Sequence, residues 1–178
     1  MSHNQMLGRD EIINNLLMLD EEISLTFSND AHYNIIIVGG SALVLIEKIS
    51  RATMDIDTIE CSKELQPYME HYGINNRVLA YQNNFSCDYM ERCIKLDIPT
   101  KKLDIYTASL EDIVIAKLFS TREQDAQDIR SPKVIESLNW DILATIADSD
   151  DLRIDAFNDH AYMVFRNNYK LYRQEMMK

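Results

Sequence analysis

The stretch Ile35–Glu60, IIIVGGSALVLIEKISRATMDIDTIE, decides the fold of this chain. The β-branched run 35–38 predicts a buried strand. The sequence Gly39-Gly40-Ser41 then predicts a tight turn that opens a helix, with Ser41 as its N-cap. A second strand is predicted over 53–59. Asp55 and Asp57 lie two residues apart on this strand, so their side chains should share one face, roughly 7 Å apart.

Two carboxylates on one face, next to a glycine turn, suit phosphate chemistry. Mg²⁺ binds carboxylate oxygens together with oxygens of a substrate phosphate. Main-chain amides at the start of a helix bind phosphate oxygens. The same residues could instead form an ordinary turn and a solvated strand face, so neither feature is decisive by itself.

The rest of the chain predicts a mixed sheet followed by a helical region. Apolar residues recur at helical spacing over 11–27, and Gly73 is a natural end for a helix over 62–72. Alternation predicts a half-buried strand over 85–98, which a short turn joins to an antiparallel strand over 103–107. Ser109 should cap the next helix. Everything after it reads as helical, with breaks near Pro132 and 148–151. The aromatic residues of the last helix should pack in a core or against a partner helix: Tyr162, Phe165, Tyr169 and Tyr172.

Length, charge and cysteine content narrow the class of protein. The 178 residues predict a domain over 1–130 with a helical extension over 131–178 packed on it. The formal charge of −11 argues against non-specific DNA binding, which cationic patches drive. Three cysteines without metal-type spacing indicate reduced thiols in a cytoplasmic protein. Neither a signal peptide nor a membrane-spanning segment is expected.

A second motif lies in the segment 110–129, LEDIVIAKLFSTREQDAQDI. Lys117 should sit at the edge of the apolar stripe of a helix, with its ammonium projecting outward. Arg122, Asp125 and Asp128 recur at steps of three and should share a face. An amphipathic helix with internal ion pairs would explain the same pattern.

Taken together, Val-Gly-Gly-Ser, the Asp-Ile-Asp that begins fourteen residues after the serine, and the lysine-to-aspartate motif resemble a known group. They are similar to the DNA polymerase β-like nucleotidyltransferase superfamily, in its bacterial branch of toxins related to the abortive-infection type IV nucleotidyltransferases. The resemblance covers about residues 35–129. It implies an α/β nucleotidyltransferase fold with a mixed β-sheet, flanking helices and a helical C-terminal region.

The resemblance also implies roles for single residues. Asp55 and Asp57 would be catalytic and would hold Mg²⁺ or Mn²⁺, while Gly39, Gly40 and Ser41 would bind the nucleotide. Lys117 would contact the triphosphate. Asp125 would belong to the catalytic cluster, with Arg122 and Asp128 as its supporting partners.

Many enzymes of this superfamily carry a third metal-binding carboxylate on a later strand. Asp88, Asp97 and Asp104 all lie on predicted strands, and the sequence does not choose among them. Asp104, within Lys-Leu-Asp-Ile-Tyr, has a plausible strand setting and is the first candidate, and Asp88 is the next.

The expected reaction is transfer of a nucleoside monophosphate from a nucleoside triphosphate to a hydroxyl group of tRNA or of a protein. The resemblance implies a toxin–antitoxin or phage-defence setting, with a cognate antitoxin as a possible partner. Two alternatives remain. One is a non-catalytic partner protein that keeps the fold; the other is an antibiotic-modifying nucleotidyltransferase whose acidic surface attracts cationic drugs.

Overall fold

The computed structural model describes residues 6–76 and 82–177. Their contacts divide them into two compact units. The first contains the described residues of Met1–Leu79 and Cys93–Ala108, and the second contains those of Ala80–Arg92 and Ser109–Lys178. Within the described part of the chain, no helix is both long enough and apolar enough to span a membrane.

The first unit is built around a mixed five-stranded sheet. Its helices are α1 (Arg9–Thr26), α2 (Gly39–Leu45) and the short α3 (Gln66–Met69), which two 3₁₀ turns flank, Lys63–Leu65 and Glu70–Tyr72. Its strands are β1 (Tyr33–Ile37), β2 (Ile56–Cys61), β3 (Ile74–Asn75), β4 (Ile94–Lys95) and β5 (Leu103–Thr107), in the order β3-β2-β1-β5-β4. Strand β1 is antiparallel to β2 and parallel to β5, β2 is parallel to β3, and β4 is antiparallel to β5. The predicted fold class is confirmed.

Burial explains why the central strands form where the β-branched residues lie. Ile35 and Ile37 of β1 and Ile56 of β2 are fully buried. Asp20 of α1 is also buried, because its carboxylate accepts hydrogen bonds from the backbone N–H groups of residues 101–103 at 2.8–2.9 Å. This carboxylate therefore fastens α1 to the loop that precedes β5.

The second unit is helical. It contains 3₁₀ turns at 82–84 and Tyr89–Arg92 and the helices α4 (Leu110–Leu118), α5 (Glu123–Ile129), α6 (Pro132–Ser137), α7 (Trp140–Ala147), α8 (Asp150–Asp155) and α9 (Asp159–Met176). Ser109 caps α4 as predicted, since its Oγ accepts a hydrogen bond from the backbone N–H of Asp112 at 3.1 Å. Of the four aromatic residues predicted to pack on the last helix, Phe165, Tyr169 and Tyr172 are buried, and Tyr162 is only half-buried.

The predicted strand over 85–98 is wrong for most of its length. Only Ile94–Lys95 pairs with β5, and Tyr89–Arg92 forms a 3₁₀ turn instead. The reason is an anchoring ion pair, in which the Arg92 guanidinium donates to both carboxylate oxygens of the fully buried Asp112 at 2.9 and 2.8 Å. A side chain held in this way fixes a compact turn, which alternation of apolar and polar residues does not reveal.

The segment 110–129 also differs from the prediction, because it forms two helices rather than one. The break lies at 119–122, where Ser120 accepts a hydrogen bond from the backbone N–H of Arg122 and donates one to Asp125. A serine that bonds to nearby backbone and side-chain groups competes with helix continuation. Arg122, Asp125 and Asp128 therefore do not share the face of one uninterrupted helix.

Candidate functional site

The glycine turn after β1 requires glycine at its first position. Gly39 has φ +67°, a left-handed conformation that side chains disfavour. A Cβ added there would also lie 3.2 Å from Oδ2 of Asp57. Gly39 thus allows the turn to approach the second aspartate closely.

Ser41 ties this turn to β2 and does not cap α2. The helix begins at Gly39 with Val38 as its N-cap. The fully buried Ser41 donates its hydroxyl to the Val38 carbonyl at 3.0 Å and accepts a hydrogen bond from the Asp57 backbone N–H at 3.2 Å. The predicted N-cap role of Ser41 is therefore wrong, because the N-cap is Val38, three residues earlier.

Asp55 and Asp57 lie together on one side of the sheet. Oδ2 of Asp55 and Oδ1 of Asp57 each accept a hydrogen bond of 3.0 Å from the same atom, Nδ2 of Asn75. The two carboxylate oxygens are therefore no further apart than the sum of these two hydrogen-bond lengths. Asp55 is exposed just before β2 and Asp57 is half-buried within it, so both carboxylates are near the surface.

Two residues of this site were not among the sequence-based candidates. Asn75 lies on β3 next to Asp57 in the parallel register. Arg51 approaches the turn so closely that a Cβ at Gly40 would lie 2.9 Å from its Nη2 atom. Arg51 belongs to the quoted motif, four residues before Asp55, and could have been selected from it. No comparable signal identifies Asn75, because its position depends on β3 pairing with β2.

The structure does not bring Asp104 together with the two aspartates. Asp104 of β5 is paired with Asn34 at the start of β1, whereas the Asp57 carbonyl accepts a hydrogen bond from Val38, beyond the end of β1. Four residues of strand correspond to about 13 Å. The Asp104 carboxylate instead contacts Nζ of Lys95 at 2.6 Å and Nδ1 of His32 at 3.4 Å.

The other two carboxylate candidates have different surroundings. Asp97 is exposed in the first unit. Asp88 belongs to the second unit, where it contacts the Arg92 guanidinium at 2.7 Å. In the ranges 6–76 and 82–177, no group of three or more His, Cys, Asp or Glu residues could hold a metal ion.

Lys117 and its acidic partners form a buried cluster in the second unit. The Lys117 side chain is only 7% exposed, and its ammonium contacts Oδ1 of Asp125 at 2.5 Å and Oδ2 of Asp128 at 2.8 Å. Burial alone would raise the pKa of Asp125, but the hydrogen bond and charge of Lys117 outweigh that effect, with help from Ser120 and Arg122, and the pKa is lowered. The lysine does not project outward as the helical pattern predicted.

Arg122, in contrast, is exposed. Its side chain is 73% accessible at the N-cap of α5, and its Nε lies 3.8 Å from Asp125. A cavity of about 290 Å³ beside it is lined by Lys117, Ser120, Arg122, Arg130 and Asn168, among others. The second motif therefore combines a buried, paired lysine with an accessible arginine.

Among the comparisons with known proteins, only the one with family models found a match. No curated protein and no solved structure matched the chain. One family model matched it over residues 14–177, which is most of its length. The chain belongs to the family described as nucleotidyltransferase of unknown function (DUF6036).

Proposed function

We propose that this protein transfers a nucleoside monophosphate from a nucleoside triphosphate to an acceptor hydroxyl and releases pyrophosphate. One observation carries the proposal: Asp55 and Asp57 accept hydrogen bonds from the same Asn75 nitrogen, next to the Gly39 turn. Family membership supports the reaction class.

The donor set fits a hard divalent cation. Two carboxylates held side by side offer oxygen ligands, and Mg²⁺ commonly combines one or two carboxylates with substrate phosphate oxygens and water. Asp55 and Asp57 would be the protein ligands of Mg²⁺ or Mn²⁺. When bound, the cation would neutralise charge on the phosphate and orient it for in-line attack.

The glycine turn after β1 would bind the phosphates through its backbone amides. The first N–H groups of a helix have no partner within that helix, which supports a role for the amides of Gly39 and Gly40. The Arg51 guanidinium lies against Gly40 and would add positive charge to the same surface. The Ser41 hydroxyl is already engaged by Val38 and Asp57, so we assign it to holding the turn.

The roles of Lys117, Arg122 and Asp125 stay predictions that rest on the resemblance. Because two carboxylates engage the ammonium of Lys117, a direct contact with triphosphate would have to use its remaining hydrogen. Nucleotide titration of Lys117→Arg, which keeps the charge, compared with wild type tests that contact.

The acceptor and the biological setting follow from the resemblance alone. We propose that the acceptor is a hydroxyl of tRNA or of a protein, and that a cognate antitoxin restrains the reaction. The formal charge of −11 supports a specific contact over a general affinity for nucleic acid, since such affinity requires cationic surface.

Label transfer tests the proposal. The protein is incubated with each α-³²P-labelled nucleoside triphosphate, Mg²⁺ and either total tRNA or cell lysate, alongside Asp57→Ala. Asp30→Ala is the matched control, because Asp30 is an exposed aspartate of the same unit, in the loop that precedes β1. We expect label in an acceptor with wild type and with the control but not with Asp57→Ala. Equal transfer by Asp57→Ala would refute the assigned role.

One observation favours a second function. Asp104, the first candidate for a third carboxylate, lies away from Asp55 and Asp57. This placement supports a non-catalytic protein that keeps the fold and binds a partner. A folded wild type that transfers no label from any of the four triphosphates, to tRNA or to lysate, would favour that function.

A further inference from the structure

Asn75 contacts both aspartates of the proposed site. Strand β3 has only two residues, and the second of them is paired with Asp57 of β2. Its side-chain nitrogen is 3.0 Å from one oxygen of Asp55 and 3.0 Å from one oxygen of Asp57. A single neutral side chain thus joins both carboxylates of the proposed site.

The backbone of Asn75 is held in place independently of these contacts. The Thr58 hydroxyl donates to its carbonyl at 3.0 Å. The preceding Ile74 is 1% exposed and is paired with the fully buried Ile56, whose N–H donates to the Gly73 carbonyl at 2.9 Å. The side chain of Asn75 is therefore carried to the carboxylates by the sheet.

The chemistry of the amide suits this position. A carboxamide NH₂ group has two hydrogens, so it can donate to both aspartates at once. Two neighbouring carboxylates repel each other, and a shared donor stabilises them in proximity. A lysine in this position would bring a positive charge that competes with a divalent cation for the two carboxylates. The neutral amide holds the carboxylates together without adding such a charge.

We propose that Asn75 is a positioning residue that holds Asp55 and Asp57 in the arrangement in which they bind a divalent cation. This role rests on the proposed function, since it concerns the same metal ligands. Residues that orient metal ligands by hydrogen bonds typically change metal affinity by about 10–100-fold when they are replaced. We expect a loss of that size when Asn75 can no longer donate.

Binding of Mn²⁺ alone, measured by the electron paramagnetic resonance signal of the free ion, tests the proposal without relying on activity. Asn75→Ala removes the amide, and Asn75→Leu removes it while keeping side-chain size. Asn34→Ala is the matched control, because Asn34 is an exposed asparagine on a strand of the same sheet. Both Asn75 variants should bind Mn²⁺ about 10–100-fold more weakly, and the control should bind it like wild type.

Thermal unfolding in metal-free buffer separates positioning from folding. An Asn75 variant that melts like wild type but binds Mn²⁺ weakly supports the proposal, and the leucine variant keeps the test valid if the alanine variant unfolds. Wild-type affinity in the leucine variant, with loss of binding in Asp57→Ala, would overturn the role of Asn75 and leave the metal site standing. Absence of Mn²⁺ binding to wild type would overturn both.

Discussion

Replacing Lys117 by methionine removes the cation that two carboxylates share, one of them buried and the other half-buried. The lysine side chain is 7% exposed, that of Asp125 is 13% exposed and that of Asp128 is 2% exposed. Water therefore has little access to the two carboxylates and cannot solvate them well once the ammonium is gone. Methionine keeps most of the aliphatic length. The variant therefore isolates the loss of charge from the loss of packing.

The expected magnitude follows from this burial. Removing one partner of a buried ion pair typically costs about 3–5 kcal/mol, because the remaining charge is left uncompensated. For a chain of this length, that loss corresponds to a melting temperature lower by about 6–20 °C. Lys133→Met is the matched control on the exposed surface of α6, and it should change the free energy of unfolding by less than about 0.5 kcal/mol.

Urea denaturation followed by tryptophan fluorescence provides the assay. Trp140 is the single tryptophan of the chain, and its ring lies 5.7 Å from that of Tyr172 in the same unit as the cluster. Adding Asp125→Asn and Asp128→Asn to Lys117→Met should restore much of the lost stability, because the unpaired charges disappear with the lysine.

The pH dependence gives a second check. In the variant, Asp125 loses the hydrogen bond and the charge of Lys117, which are the main causes that lower its pKa against the effect of burial. The pKa of Asp125 should therefore rise, and the destabilisation should shrink as pH falls from 7 towards 4, because acid protonates this carboxylate. In wild type the lowered pKa of Asp125 stabilises the fold above the unfolded value, near 3.9, and this contribution is lost at lower pH. A loss below about 1 kcal/mol at pH 7 would refute the account of Lys117 as a buried charge partner.

Three further predictions concern other sites. Gly39→Ala should cost about 1–2 kcal/mol, measured by urea denaturation, because alanine resists φ +67° and its Cβ would crowd Asp57; an unchanged midpoint would contradict the strain. Arg51→Ala should weaken nucleoside triphosphate binding in a titration, whereas Arg51→Lys should keep part of the affinity because it keeps the charge; equal affinities would remove Arg51 from the phosphate surface. The pKa of the Asp151 carboxyl, measured by carbon-13 NMR, should be about 2, because the carboxylate accepts a hydrogen bond from the Cys87 backbone N–H. Its contribution to stability is present above pH 4 and should be lost as the pH falls from about 4 to 2. A titration midpoint near 4 would contradict this hydrogen bond.

Much of the first unit could be predicted from local patterns. The β-branched run before the glycine turn became β1, and Gly73 ends the helical segment before it in the left-handed conformation, φ +66°. Strand geometry, in which residues two apart share a face, predicted Asp55 and Asp57 side by side on a strand over 53–59. The strand begins only at Ile56, so Asp55 lies just before it, and the shared contact with Asn75 joins the two carboxylates. Boundaries were less predictable: the N-cap of α2 is Val38 rather than Ser41.

The second unit shows where local patterns fail. Alternation over 85–98 predicted a strand, but the contact of Arg92 with Asp112 holds the segment in a turn. The spacing of Lys117 predicted an exposed ammonium at the edge of a helix. The break at 119–122 instead places α5 so that Asp125 and Asp128 enclose it.

The sequence by itself thus determined the strand–turn–helix–strand segment, because backbone periodicity and glycine conformations act over a few residues. Only the tertiary structure decided which side chains complete the site. Asn75 reaches the aspartates because β3 pairs with β2, and Asp104 is kept from them by the register of β5 on β1. These placements depend on pairing between segments far apart in the chain, and short-range spacing carries no information about such pairing.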